Sequence, residues 1–215
     1  MLIVGAKGFA KEVLEVMHEN NQLQNLVFYD DVNMDAPDLL FNTFRVLKNK
    51  KEASHYFKTV DNRFTIGIGN PVLRKKMCDI FTNLGGQLIS ILSSRATVGS
   101  YDVVLGTGSV VLCNVILSNS VSIGMGCIVY YGVVITHDCV IGDYVEVSPN
   151  AILLGRSIVG SYSRIGANAT VLPDVKIGQN VTVGAGALVT KDVPDNCMVI
   201  GSPARITKQL MPLEF

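Results

Sequence analysis

The chain contains no tryptophan, only three histidines and no CxxC pair among its five cysteines. Each scarcity excludes something. Without paired or evenly framed cysteines there is no disulfide scaffold, and the thiols read as reduced groups of a cytoplasmic protein. Charged residues are only 17% of the chain, with 18 basic and 18 acidic side chains in formal balance. That balance argues against broad phosphate-backbone binding, which needs an excess of cations. A hydrophobic share of 48% excludes disorder. Long apolar runs are missing too. The most apolar stretch, Val103 to Leu117, is broken by Gly106, Gly108, Ser109 and Asn114, so no segment reaches the ~20 residues of a membrane helix. Met1-Leu2-Ile3-Val4 runs straight into Gly5, with neither a basic leader nor a cleavage site. A length of 215 residues allows one large domain or two small ones.

What the chain does have is a repeat. Counting in sixes from Leu105 to Val189, all fifteen first positions are Leu, Val or Ile. The fifth position, from Ser109 to Val193, is always small or β-branched. Glycine follows the aliphatic at 106, 124, 142, 160 and 178, a spacing of 18, or three hexads. An α-helix cannot carry this pattern, because its apolar stripe recurs every three and four residues. A solenoid can: 18 residues make one coil with three flat sides, and coils stack at the ~4.8 Å strand spacing. Five regular coils follow, preceded by an imperfect one from Leu92 to Val104 that carries an extra residue. The recurring glycine predicts a corner conformation that a Cβ would disfavour.

Residues 1–90 have another rhythm. Leu2-Ile3-Val4 reads as a buried strand, and Gly5-Ala6-Lys7-Gly8 as a turn. A helix follows, with Ala10, Val13, Leu14 and Met17 on one face. Leu26 to Tyr29 is a second strand ending at Asp30-Asp31, and Phe64 to Ile68 a third ending at Gly69-Asn70. Asn70 is placed to cap the next helix, with Pro71 in its first turn and Gly85 past its end. Strand-loop-helix alternation predicts a small parallel sheet of Rossmann-like build, where ligands sit beyond the strand carboxyl ends. The Gly5–Gly8 turn would aim helix N–H groups at a phosphate. It lacks the third glycine of a dinucleotide fingerprint, so a sugar nucleotide suits it better than NAD, and a purely structural turn is the plain alternative.

The histidines differ. His18 and His55 read as solvated surface residues. His137, third in its hexad between inward Ile135 and Cys139, should point outward beside Asp138, and an exposed imidazole next to a carboxylate suits a general base. One histidine in the coils does not make a zinc site, which needs several, so no metal is expected.

Ile135-Thr136-His137-Asp138-Cys139-Val140-Ile141-Gly142-Asp143 resembles the HDCxIGD segment of the hexapeptide-repeat sugar O- and N-acetyltransferases, of the sialic acid O-acetyltransferase and bacillosamine-pathway type. The similarity extends along the chain. Gly5-Ala6-Lys7-Gly8-Phe9-Ala10-Lys11-Glu12 matches a GAGGHAKE-like opening, Tyr29-Asp30-Asp31 an acidic strand end, and Ile68-Gly69-Asn70 with Arg74 an IGDNxxR segment. Val199 to Arg205 matches a VxGxPAR tail. The resemblance implies an α/β, Rossmann-like N-terminal domain (1–90) that binds a sugar nucleotide, and a left-handed parallel β-helix (91–215) with a C-terminal tail.

It implies roles as well. His137 would be the general base, Asp138 its orienting partner, and the Gly155 N–H a donor to the developing oxyanion. Acetyl-CoA would lie near Glu146, Ala167, Ala185, Gly201 and Arg205. Lys7, Gly8, Phe9, Asp30, Asp31, Gly69 and Asn70 would bind the acceptor. The implied activity is N-acetylation of a nucleotide-linked amino sugar for surface polysaccharide. Alternatives are O-acetylation of a sialic acid or other sugar hydroxyl and, at greater distance, a non-catalytic sugar-binding scaffold. A homotrimer is implied. It suits a prism in which only nine charged residues lie between Leu105 and Pro194. Three positions depart from the pattern: Glu146 stands for a second family histidine, Phe9 for the loop histidine, and Tyr130-Tyr131 for Asn-Thr.

Overall fold

The computed structural model describes residues 1–33 and 36–214. The chain divides into two compact units, Met1–Ser94 and Arg95–Phe215.

In the first unit β1 (Leu2–Val4), α1 (Gly8–Glu19), β2 (Val27–Tyr29), β3 (Leu39–Leu40), β4 (Phe44–Leu47), α2 (Lys50–Thr59), β5 (Arg63–Ile66), α3 (Pro71–Asn83) and β6 (Gln87–Leu88) follow in order. They form one sheet in the order β3-β4-β2-β1-β5-β6. All pairings are parallel except β3 with β4. β1 lies between β2 and β5 and is fully buried, which is why it reads as an unbroken Leu-Ile-Val run. Asn70 caps α3: its Oδ1 accepts from Leu73 N at 3.0 Å, with Pro71 in the first turn. Gly5 has a φ of +113°, and a Cβ there would lie 2.8 Å from the Gly67 carbonyl oxygen. This glycine is needed to turn the chain from β1 into α1. Gly8 has open space around it. The β3–β4 hairpin has no counterpart in the sequence reading, because strands of two to four residues carry too little periodicity; the ten-residue α2 is a further element that reading did not assign.

The second unit is a parallel β-helix. Two-residue strands recur every six residues, and each pairs with the strand 18 residues away, as in Val134↔Ile152 and Val140↔Ile158. Three faces result. One carries Val110–Val111, Ile128–Val129, Glu146–Val147, Arg164–Ile165 and Thr182–Val183; the second runs from Thr97–Val98 to Leu188–Val189; the third runs from Val104–Leu105 to Lys176–Ile177. First-position aliphatics from Val111 onward, with the apolar fifth-position side chains, fill a single core. Full burial of such a side chain contributes about 1.5–3 kcal/mol. The fifth-position serines are buried but satisfied: Ser109 Oγ donates to Gly124 O at 2.9 Å and accepts from Cys127 N at 3.1 Å.

The expectation for the recurring glycines needs correction. None of Gly106, Gly124, Gly142, Gly160 and Gly178 has a positive φ. What excludes a side chain there is the neighbouring coil: a Cβ on Gly106 would lie 2.4 Å from Gly124 C. Left-handed backbone occurs instead at the fourth position of each hexad, from Gly108 to Gly186, including Asp138, Tyr144, Arg156 and Tyr162.

Candidate active site

Two sites were expected, one in each unit, and the structure places the residues named for them as follows. In the first unit a cavity of about 340 Å³ opens at the carboxyl ends of β1, β2 and β5. Lys7, Gly8, Phe9, Asp30, Asp31 and Gly69 line it, with Tyr29, Val32, Asn33, Ile68, Leu73 and Met77. Asn70 is not on its wall. The volume is at the small end of ligand pockets, enough for a nucleoside. At the N-terminus of α1, Lys7 makes no side-chain capping bond to the first-turn N–H groups.

The two acidic residues are used differently. Asp30 is 7% exposed, and its carboxylate accepts from Val32 N, Asn33 N and Asn33 Nδ2 at 2.7–3.2 Å. It builds the loop. Asp31 Oδ2 accepts from the Tyr29 hydroxyl at 2.7 Å. Burial, then that bond, push the Tyr29 phenol well above its usual range. Asp31 is thus a pre-oriented acceptor at the cavity wall. Sequence reasoning did not assign Arg74 a place at the site. Its guanidinium is 1% exposed and donates to Gly69 O at 2.5 Å and Ile68 O at 3.3 Å, which fixes the β5–α3 loop along the cavity. Its signal was the Ile68-Gly69-Asn70 segment with Arg74, an arginine four residues beyond the capping asparagine.

In the β-helix, His137 lies on the turn between Val134–Ile135 and Val140–Ile141, with 55% of its side chain exposed. Its Nδ1 is 2.7 Å from Asp138 Oδ2. Since a carboxylate can only accept, in the neutral imidazole Nδ1 carries the proton and Nε2 presents a lone pair. Asp138 reaches this position from a left-handed backbone, φ 61°, which Asp tolerates better than most residues. The imidazole lies over Gly155 in the next coil: a Cβ there would be 2.6 Å from Cε1 and 2.7 Å from Nε2. Gly155→Ala will therefore displace the ring while costing little stability. A crystal structure showing the His137–Asp138 bond intact in that variant would contradict this.

Ala167 and Ala185 sit elsewhere, on the edge that follows the Glu146 face, in adjacent coils. Gly201 is on that edge too, its carbonyl accepting from Leu188 N at 3.0 Å. Arg205 begins an exposed strand, Arg205–Gln209. Glu146 is on the first face, in register beside Arg164. One chain therefore brings His137, Asp138 and Gly155 together, and Ala167, Ala185 and Gly201 together, with a whole prism face between the two sets. His18 and His55 are exposed, on α1 and α2. Among the described residues no group of three or more His, Cys, Asp or Glu could hold a metal ion.

A Rossmann-like unit with a nucleoside-sized cavity, followed by a β-helix of six-residue turns with an outward His–carboxylate pair, defines a two-unit transferase. Comparison with known proteins agrees. Residues 1–81 match the PglD N-terminal domain family, and residues 138–172 and 156–191 match the bacterial transferase hexapeptide (six repeats). WeeI from Acinetobacter baumannii AYE is 32% identical, with a TM-score of 0.77 over 96% of this chain and 98% of that one. PerB from Caulobacter crescentus, solved with CoA and GDP-perosamine, is 29% identical, with a TM-score of 0.88 over 96% of both chains. The acetyltransferase domain of PglB from Neisseria gonorrhoeae FA1090, solved with acetyl coenzyme A, is 29% identical, with a TM-score of 0.85 over 96% of this chain and 98% of that one. No curated protein matches. The chain belongs to the hexapeptide-repeat sugar acetyltransferases, with their left-handed β-helix.

Proposed function

We propose that the protein transfers the acetyl group of acetyl-CoA to the amine of a nucleotide-linked amino sugar, with His137 as the base. The observation that carries this reading is the exposed imidazole whose Nδ1 is held by Asp138 and whose Nε2 is left as an acceptor. The ligands of PerB and PglB support it. Nε2 takes a proton from the amine as the N–C bond forms, and His137 returns it to the departing thiolate as the C–S bond breaks. Asp138 stabilises the intervening imidazolium. Gly155 would supply an N–H to the carbonyl oxygen as negative charge develops there. The cavity lined by Lys7, Gly8, Phe9, Asp31 and Gly69 would hold the nucleotide.

The residues at the Ala167 edge fit the pantetheine arm. Ala185 is exposed, and a Cβ on Gly186 would meet nothing within 4 Å, so the edge is open to an extended chain. Arg205 lies on the strand beyond, a cation for the CoA phosphates. Because His137 and Ala185 occupy different edges, the complete site would form between neighbouring copies in a homotrimer. The face between those edges bears outward Ile116, Val134, Ile152, Thr170 and Leu188, a mostly apolar, uncharged strip suited to lateral packing. No helix among the described residues is long and apolar enough to cross a membrane. A cytoplasmic place, where acetyl-CoA and nucleotide sugars are made, suits the reading.

Two measurements test this. Free CoA should be released with a nucleotide-linked amino sugar and not with its hydroxyl counterpart; release with sialic acid alone would move the activity to O-acetylation. Mixing inactive His137→Asn and Ala185→Trp chains in equal amounts should restore about a quarter of wild-type turnover, since that share of interfaces in a closed ring pairs two intact edges. No recovery would place the whole site in one chain.

A further inference from the structure

The edge that carries His137 also carries a column of alternating charge. Asp138, Arg156 and Asp174 occupy the same fourth position in three successive coils, all with left-handed backbone. Backbone bonds stack them: Arg156 N donates to His137 O, and Asp174 N to Gly155 O, each at 3.1 Å. Successive side chains in such a column start about 4.8 Å apart. Arg156 is thus flanked by two carboxylates, Asp138 on one side and Asp174 on the other.

It is bound to one of them. Arg156 Nε and Nη2 donate to Asp174 Oδ1 and Oδ2 at 2.6 and 2.8 Å, a bidentate fork. Both oxygens of Asp174 are occupied, and the hydrogen bonds hold its carboxyl below the usual range. Asp138 Oδ2 is bonded to His137 instead. Among the described residues, those stacked with His137 in the column, Asn119, Ser120 and Gly155, are uncharged, and Cys139 of its own turn is buried in the core. One coil beyond Asp174, Asp192 Oδ1 accepts from Lys176 N.

We propose that Asp174 is a positioning residue for the transfer: by clamping Arg156 it keeps that guanidinium off Asp138, so that the charge of Asp138 acts on His137. This rests on His137 being the base. Without Asp174, the fork of Arg156 is free to turn to Asp138, the carboxylate at the same position one coil before it. Asp138 then divides its hydrogen bonds, the imidazole loses its orientation, and a second cation beside it disfavours the imidazolium. Neither Arg156 nor Asp174 touches the reacting atoms.

The test is the pH profile of kcat/KM for Asp174→Asn at low ionic strength. The midpoint of the acidic limb should move down by about 0.5 pH unit, and the plateau should fall about fivefold, because a weaker, less ordered base transfers protons more slowly. High salt should shrink the shift. Arg156→Gln combined with Asp174→Asn should restore the wild-type midpoint and most of the rate, an outcome that a merely structural ion pair would not give. An unmoved midpoint in Asp174→Asn, or no recovery in the double variant, overturns the proposal. His137→Asn separates it from the reading beneath it: if that variant stays active the base is wrong, whereas an inactive His137→Asn with an unshifted Asp174→Asn profile removes only the role of Asp174.

Discussion

Alanine at position 137 will lower kcat/KM for acetyl transfer by about 10²–10⁴-fold, the range associated with a positioned general base. The same variant will melt within a degree or two of the wild type. The second half follows from placement. The ring stands outside the wall, 55% exposed, and its polar contact is one hydrogen bond to an equally exposed carboxylate. Surface substitutions of that kind change stability by about 0.5 kcal/mol or less. The first half follows from chemistry, since no other imidazole stands on the β-helix to replace it. Asp138→Asn should sit between. The amide can still meet the ring, but it can present its N–H to Nδ1 and so favour the tautomer that lacks a free Nε2 lone pair. Turnover in His137→Ala within tenfold of wild type, measured by thiol release with the preferred acceptor, would remove His137 from the mechanism.

How much of this was readable beforehand depends on the range of the contact. The β-helix is a nearest-neighbour structure in which each coil meets only the next, so six-residue arithmetic on one sequence was sufficient to place Val111 to Val189 inside and His137 outside. The separation of the two edges was legible by the same arithmetic. His137 and Gly155 are 18 apart, one full coil, while His137 and Ala167 are 30 apart, which is one coil and two further sides. The left-handed fourth position was half visible. Asn114, Asn150, Asn168 and Asn180 advertise it, but Tyr144, Arg156 and Tyr162 occupy it as well and hide the pattern. In the first unit the signals were weaker because the contacts are longer. The bond from Arg74 to the Gly69 carbonyl spans one loop and could be guessed from a motif. The loop-building role of Asp30 could not be told from that of Asp31, since two adjacent carboxylates at a strand end look alike until one is found buried. Arg156 and Asp174 were simply counted as surface charges, although they too are one coil apart.

The glycine column gives the sharpest test of why the coils close as they do. Gly160→Ala should lower stability by about 3 kcal/mol, the upper end of the overpacking range, which for a chain of this size is a fall of roughly 10 °C in Tm. Its Cβ would lie 2.5 Å from Gln179 N and from Gly178 C and 2.7 Å from Gly178 O. All three are backbone atoms, so no rotamer change relieves the clash; the stack itself must part, and with it the 2.8 Å bond from Gly160 N to Ile177 O. Gly186→Ala isolates the other reason for glycine. That residue has a φ of +68° and no atom within 4 Å of its would-be Cβ, so only the torsional cost of about 1–2 kcal/mol applies. Tyr162 already bears that cost at the equivalent position, φ 62°. Thermal or denaturant unfolding of the two variants should therefore rank Gly160→Ala well below Gly186→Ala. Equal losses would mean that backbone conformation, and not the approach of neighbouring coils, is what the column demands.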